Sequence, residues 1–331
     1  MSIPRTDIDL LVLGTDVDPH VQSVLAQLPD TINVMRFDID KYPVSFSSTY
    51  SVNQDAESLI FQNKHLYQCV NNHSIVWFRR IGAPGVSKEI RDRSYRKFAN
   101  AETEAFILGL TSLLSSSVWI NPYLSTKYAN SKLFQLRNAR NIGLRIPATL
   151  VTNSPDEVRT FASVYPKIIY KTLSSPSLEQ NSGRSLIFSH LISDSDHVLF
   201  DQVKYAPCMF QQYIEKDYEL RITFVGGNFY SVKIFSQDSS DTKIDWRAGD
   251  WNHHRYETTN LPEAVCQQLS SFMQVLNLQF GAIDMIVTPN GEYVFLEVNP
   301  HGAWLWLEQA TDLCISLAIS NYIQRLCSFR T

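Results

Sequence analysis

Three residues near the end of the chain are spaced to hold a hard cation. In GAIDMIVTPNGEYVFLEVN, the Pro-Asn-Gly at 289–291 is a hairpin signal between two apolar runs. A four-residue loop from Pro289 to Glu292 pairs Thr288 with Tyr293 and sets Asp284 opposite Glu297, and strand alternation brings Asn299 to the same face. Facing carboxylates repel unless something cationic lies between them. Two carboxylates and an amide oxygen suit Mg2+, which takes few protein oxygens and shares the rest of its shell with phosphates. The spacing therefore predicts a site for a nucleoside triphosphate; the alternative is two acids at solvated strand ends.

Other residues can serve the same ligand. Lys132, in a helical stretch, and Lys171, in a strand, can neutralise phosphate oxygens. In FQQYIEKDYELR (210–221) the backbone of Tyr213 and Ile214 can meet an adenine edge, and Glu215, Asp217 and Glu219 suit ribose hydroxyls. Arg221 and Arg247 add a positive lining, expected opposite the metal site. Arg79 and Arg80 close the apolar run SIVWF, at the strand end where open α/β sheets receive ligands, and could clamp a carboxylate or phosphate or simply be solvated. No G-x-x-x-x-G-K-[ST] occurs, and the single Gly14 at the first turn is no G-x-G-x-x-G, so the triphosphate must be held by other means.

The elements that position these groups are readable from pattern. DIDLLVLGTDVDPHVQSVLAQL followed by INVMRFDID reads as strand, helix, strand, a βαβ unit with a parallel sheet. TKYANSKLFQLRNARNIG reads as one helix with Leu133, Leu136 and Ala139 on a stripe, capped at Gly143. Ser154, Pro155 and Glu157 open the next helix with a capping box. KIIYKTL, SLIFSHL and CMFQQYI read as strands, with a loop around Gly183 and Arg184. ELRITFVGGNFYSVKIF alternates about a turn at Gly226 and Gly227. A helix at about 262–276, the hairpin at about 281–299 and a last helix at about 304–327 complete the chain.

With 331 residues, 44% of them hydrophobic and 19% charged, the chain can bury a large core and favours two domains, or two and a subdomain. A net charge of -4 argues against a protein that grips nucleic-acid backbone. The five cysteines form no C-x-x-C pair, so neither a disulfide framework nor a zinc site is indicated, and a reducing cytoplasm fits. Asp7 and Asp9 precede any long apolar run, unlike a secretory signal. AFILGLTSLLSSSVWI (105–120) is short for a membrane span and reads as a buried helix leading into a strand. Trp304 and Trp306 are expected to pack, Cys208 and Cys314 to lie in the core, and the adjacent His253 and His254 to point apart. A homodimer is the default assembly.

The order NSKLFQL, IIYK, FQQYIEKDYELR, DWR, GAIDM, FLEVNPHG resembles the ATP-grasp superfamily, near its glutathione-synthetase and ribosomal-protein-modification branch. VWFRR and FLEVNPHGAWLWLEQATDL resemble the microviridin-type, or graspetide, synthetases that cyclise ribosomal precursor peptides. The resemblance implies an ATP-grasp fold of α/β class (α+β in part). An N-terminal Rossmann-like pre-ATP-grasp domain would span 1–122 and the ATP-grasp domain 123–331, in subdomains of about 123–213 and 214–331. It further implies that Lys132 and Lys171 contact ATP phosphates and that the Q-x-Y-I pattern starting at Gln211 lines adenine through Tyr213 and Ile214. Glu219 would hold the ribose, and Asp284, Glu297 and Asn299 would bind Mg2+. Arg221 and Arg247 would steady the γ-phosphate, acyl phosphate or substrate carboxylate, and Arg80 would sit where substrate arrives. The loop SSPSLEQNSGRS departs from the glycine-rich phosphate cover of many relatives. The implied activity is ATP-dependent crosslinking of Asp or Glu side chains in a precursor peptide with leader and core, as esters or amides. The alternatives are a ligase adding amino acids to a small molecule or protein tail, and an ATP-binding protein that forms no bond.

Overall fold

The computed structural model describes residues 8–15, 17–62, 67–69, 74–79, 85–115, 117–174, 177–180, 183–249 and 254–329, with the backbone alone at 67–69, 177–180 and 183–186. The expected βαβ unit is present: Leu10–Gly14, fully buried, lies between Val34–Asp38 and Ile75–Phe78 in a parallel sheet completed by Val118–Ile120. Burial on both faces explains its near-continuous apolar sequence. A three-stranded antiparallel meander, Ser47–Val52, Glu57–Gln62 and Tyr67–Cys69, follows, an element not anticipated from the sequence. Its first strand is almost wholly solvated, which left no apolar alternation to read.

The window expected as a buried helix forms the second half of Arg93–Leu113 and the strand Val118–Ile120. Only one face is buried, through Thr103, Ile107 and Leu110, while Leu108 is solvent-exposed. The stretch read as one helix is two, Tyr123–Ala129 and Lys132–Ile142. Ser131 separates them by accepting the Phe134 N–H (3.4 Å), an N-cap that starts a fresh helix with Lys132 in its first turn. Gly143 ends it in the left-handed region (φ 88°), as expected.

Of the antiparallel sheets that follow, the smallest pairs Ser177–Gln180 with Gly183–Leu186, where a loop was expected around Gly183 and Arg184, and two are larger. One orders His190–Leu191, Ile168–Lys171, Cys208–Gln212 and Thr149–Thr152; the other Tyr256–Thr259, Asn228–Ile234, Tyr218–Val225, Phe280–Val287 and Tyr293–Asn299. Helices Lys132–Ile142 and Glu263–Val275 cover the larger sheet, packing Leu269, Phe272 and Met273 against Ile283, Met285, Phe295 and Val298. The last helix is also split, into Leu305–Ala310 and Ile315–Ser328. The Glu308 carboxylate accepts from Ser316 N (2.6 Å) and Oγ (2.8 Å) and so caps the second piece.

That final helix packs on the N-terminal sheet, in one core with Leu10, Val12, Ile75 and Trp77. Arg79, 1% exposed, lies over the Trp304 ring at 4.7 Å and beside Asp18, so it is part of this joint. Trp304 is fully buried, as expected of a packing residue. Cys208 is only half-buried and Cys314 is exposed, against the expectation of core sites, because Cys314 sits at the break before the last helix. Asn121 stitches the same joint: its Oδ1 accepts from Gln279 N (2.7 Å) and Phe280 N (2.9 Å), and its Nδ2 donates to Phe280 O (2.8 Å) and Pro300 O (3.3 Å).

Candidate active site

The hairpin sets Asp284 opposite Glu297, by a route that differs from simple counting. The turn is one residue longer than expected, so Val287 pairs with Tyr293, followed by Ile286 with Val294 and Met285 with Phe295. A regular ladder would then face Asp284 with Leu296 and send Glu297 to the core face. Instead the register shifts at this point, Leu296 is the extra residue of a bulge, and Glu297 falls opposite Asp284 with Asn299 opposite Ala282. Both carboxylates are partly accessible, 19% for Asp284 and 29% for Glu297. Asn299 is exposed, and its Oδ1 accepts the His301 N–H at 2.9 Å.

Each carboxylate has a cation. Arg221 donates from Nη1 to both Asp284 oxygens (2.9 Å each), because its strand pairs with the Asp284 strand in a register that makes the two residues neighbours. Arg221 is therefore beside the acids, not across from them; the sequence did not show which strands pair. Lys132 Nζ lies 3.2 Å from Glu297 Oε2. One turn along the same helix, buried Gln135 grips the residue between the two candidate ligands. Its Oε1 accepts Val298 N–H (2.8 Å) and its Nε2 donates to Val298 O (2.8 Å). Sequence reading missed Gln135; a polar residue among the buried positions of an amphipathic helix was the available signal.

Arg247 enters from the polar DWR segment. Asp245 holds it in a two-point fork, Arg247 Nε to Oδ1 (2.8 Å) and Nη2 to Oδ2 (2.7 Å), and also accepts Ser189 N–H (3.1 Å). Burial pushes the Asp245 carboxyl up, but these donors outweigh it and hold the group well below the usual carboxylate range. Burial likewise pushes Glu297 up, and Lys132, Lys171 and Arg247 together bring it below its ordinary value. At Asp284 burial prevails and the carboxyl is raised, with Arg221 opposing and Glu297 adding to the effect. Burial pulls the Lys171 ammonium down, against the attraction of Glu297.

Two clefts meet at this cluster and share Lys171, Ser189, Arg247 and Glu297. The first has apolar walls from Ile169, Ile214, Ile286 and Leu296, a setting for a flat heteroaromatic ring. Tyr213 and Gln211 line it too. Gln211 is fully buried, its Nε2 bonded to Thr149 Oγ1 (3.0 Å), and its Oε1 has no partner among the described residues. Glu219 is buried against Lys216, whose Nζ lies 2.7 Å from its Oε1, and Lys216 is the member of the pair that lines the cleft. The second cleft is polar, with Lys127, Ser131, Lys132 and Asn299 on its walls.

Arg80 and His253 lie outside the described residues. His254 bonds the Trp246 carbonyl through Nε2 (3.0 Å). Among the described residues no group of three or more His, Cys, Asp or Glu forms a metal site, and no helix is long and apolar enough to cross a membrane. The two carboxylates still fit a magnesium ion shared with phosphates: each accepts from a single cationic side chain, leaving lone pairs for a metal. Lys132, Lys171, Arg221 and Arg247 outnumber Asp284, Glu297 and Asp245 by one, a balance suited to a polyanion.

The fold is that of an ATP-grasp ligase. The chain belongs to the family described as prokaryotic glutathione synthetase, ATP-grasp domain, whose model matches residues 132–299; a second model, the MvdD pre-ATP grasp domain, matches 17–127. Among solved structures the chain is similar to a RiPP-associated ATP-grasp ligase of Chryseobacterium gregarium, in complex with ADP and a leader and core peptide. There the identity is 27% and the TM-score 0.89, over 96% of this chain and 97% of that one. It is also similar to the macrocyclase MdnC of Microcystis aeruginosa MRC, bound with precursor peptide MdnA (28%, TM-score 0.83, 97% and 100% covered). MdnB, a macrocyclase of the same organism, is 29% identical with a TM-score of 0.75, over 95% and 99%. No curated protein matches the chain by sequence.

Proposed function

We propose that this ligase activates Asp or Glu side chains of a ribosomally made precursor peptide and closes ester or amide crosslinks within it. The observation that carries the reading is the junction of the two clefts at Lys171, Arg247 and Glu297; a nucleotide with its base in the first and its phosphates reaching Lys132 in the second would meet a peptide carboxylate there. The full-length likeness to ligases solved with leader, core and precursor peptides supports the peptide as partner.

In this reading the adenine lies against Ile214, Ile286 and Leu296, beside Gln211 and the backbone of Tyr213 and Ile214, with the ribose toward Lys216 and Glu219. Lys132 and Lys171 neutralise the phosphates. Asp284, Glu297 and Asn299 would hold Mg2+, which supplies charge neutralisation for phosphoryl transfer when bound. Arg247, fixed by Asp245, steadies the entering carboxylate at the mouth. A carboxylate oxygen of the peptide attacks the γ-phosphorus, the bond to the bridging oxygen breaks, and ADP leaves. A hydroxyl or amine of the same peptide adds to the acyl carbon, and phosphate departs. Both groups belong to one chain, so closure gains from proximity. Asp245 is a poor base for this step, because Arg247 and Ser189 occupy its oxygens and hold its carboxyl low; the proton leaves with phosphate.

Incubation with ATP, Mg2+ and candidate precursor peptides, followed by mass spectrometry, tests the proposal. Loss of one water mass per ring is the expected result. A gain of amino-acid mass would instead identify a ligase of the glutathione-synthetase type, and absence of ATP turnover with every substrate would remove the catalytic reading.

A further inference from the structure

Thr149–Thr152 is the outermost strand of its sheet, paired only with Cys208–Gln212. The phase of that ladder is fixed by Gln212 N–H, which donates to Ala148 O at 2.9 Å. Alternation then gives Leu150 and Thr152 the bonded positions and turns the main-chain N–H and C=O of Thr149 and Val151 outward. Among the described residues nothing bonds these outward groups. They face an open groove whose other wall is the helix Lys132–Ile142, presenting Leu133, Arg137 and Arg140.

Leu133 is 53% exposed, and both arginines are exposed with no ion pair among the described residues. Arg145, at the end of the groove, is paired with Glu292. An unprotected sheet edge is a template for another strand. Here the flanking charge decides which strand: two copies of this edge would bring four unpaired arginines together, whereas an acidic strand would neutralise them.

We infer that this groove takes an extended acidic polypeptide segment as an added strand, its main chain pairing with Thr149 and Val151 and its carboxylates meeting Arg137 and Arg140. Apolar side chains of the segment cover Leu133. Pro147 and Gln212 line both this groove and the cleft assigned to the nucleotide, so the added strand shares a wall with it. The inference stands on the sheet edge and does not depend on which bond the ligase makes.

The test is fluorescence anisotropy on the full chain with a short labelled peptide alternating Glu and Val, and a Lys-Val peptide as control. The Glu-Val peptide is expected to bind, more weakly as salt rises, and hydrogen exchange to slow at Thr149 and Val151. Arg137→Glu/Arg140→Glu should weaken binding about tenfold or more. Val151→Pro, which removes only an outward N–H, should do the same while leaving thermal unfolding near that of the parent. Equal binding of both peptides, binding unaltered in both variants, or protection elsewhere would overturn the inference. So would sedimentation showing a dimer that Val151→Pro dissolves, since the occupant would then be a second copy.

Discussion

Glu297 stands opposite Asp284 because Leu296 bulges out of the ladder between them. Expected counting error and bulge cancel: the longer turn displaces the register by one, and the extra residue restores it. A bulge beside two acids re-aims a side chain that alternation alone would have buried. The convergence of these carboxylates is the first thing to test. Asp284→Asn or Glu297→Gln should lower ATP turnover by about 10²–10³, the scale for losing a charge-stabilising group. Asp284→Asn should also cost about 2–4 kcal/mol in urea unfolding, because buried Arg221 is left without its partner. Glu297→Gln, whose partner Lys132 is more accessible, should cost less.

The two lysines differ in environment and should differ in effect. Lys171→Met removes an ammonium that burial disfavours, so the variant should be as stable as the parent or more so, yet lose nucleotide binding. Lys132→Met frees Glu297 from its nearest cation. Thermal unfolding with and without Mg2+ and a non-hydrolysable ATP analogue reads both. Each variant should show a smaller rise in Tm than the parent, and an unchanged rise would remove that lysine from the phosphate site.

Gln135 should behave as a positioning residue. Gln135→Leu strands the buried N–H and C=O of Val298, costing about 1–3 kcal/mol, and lets the strand between Glu297 and Asn299 relax. Turnover measured against Mg2+ should show a higher half-saturating concentration. Uniform loss of rate with unchanged metal dependence would mark Gln135 as purely structural.

Acid should unfold the site through two carboxylates. Asp245 and Glu297 are held below their ordinary values in the folded chain, so the stability they add is complete above the unfolded carboxylate range. It is lost as pH falls through their folded values. Asp284, raised in the folded state, works the other way, its contribution declining as pH rises from the ordinary to the raised value. Tm followed from neutral pH to about pH 3 should therefore fall more steeply in the parent than in Asp245→Asn.

Much of this site is legible in one sequence because strand alternation and a Pro-Asn-Gly turn are local rules. They lead to the pairing of Asp284 with Glu297, although a longer turn and a bulge at Leu296 produce it, whereas the helix that begins at Lys132 reads as continuous with the one before it. What was not legible depends on pairing between distant strands and on buried polar contacts. Arg221 lies beside Asp284 only because strands some sixty residues apart are neighbours, a separation the contact itself records. Glu219, chemically fit for a ribose, is bonded to Lys216, an ion pair that composition cannot distinguish from two surface charges. The last helix gave no sign that it would break at Cys314 or pack between the C-terminal sheet and the N-terminal one.

Asn121 belongs to the N-terminal half, yet its amide fastens the start of one hairpin strand at Phe280 and the end of the other at Pro300. The halves are consequently poor candidates for modular exchange. A chimera that imports a foreign N-terminal part without an equivalent of this amide should misalign its acids, and restoring that one asparagine is the cheapest repair.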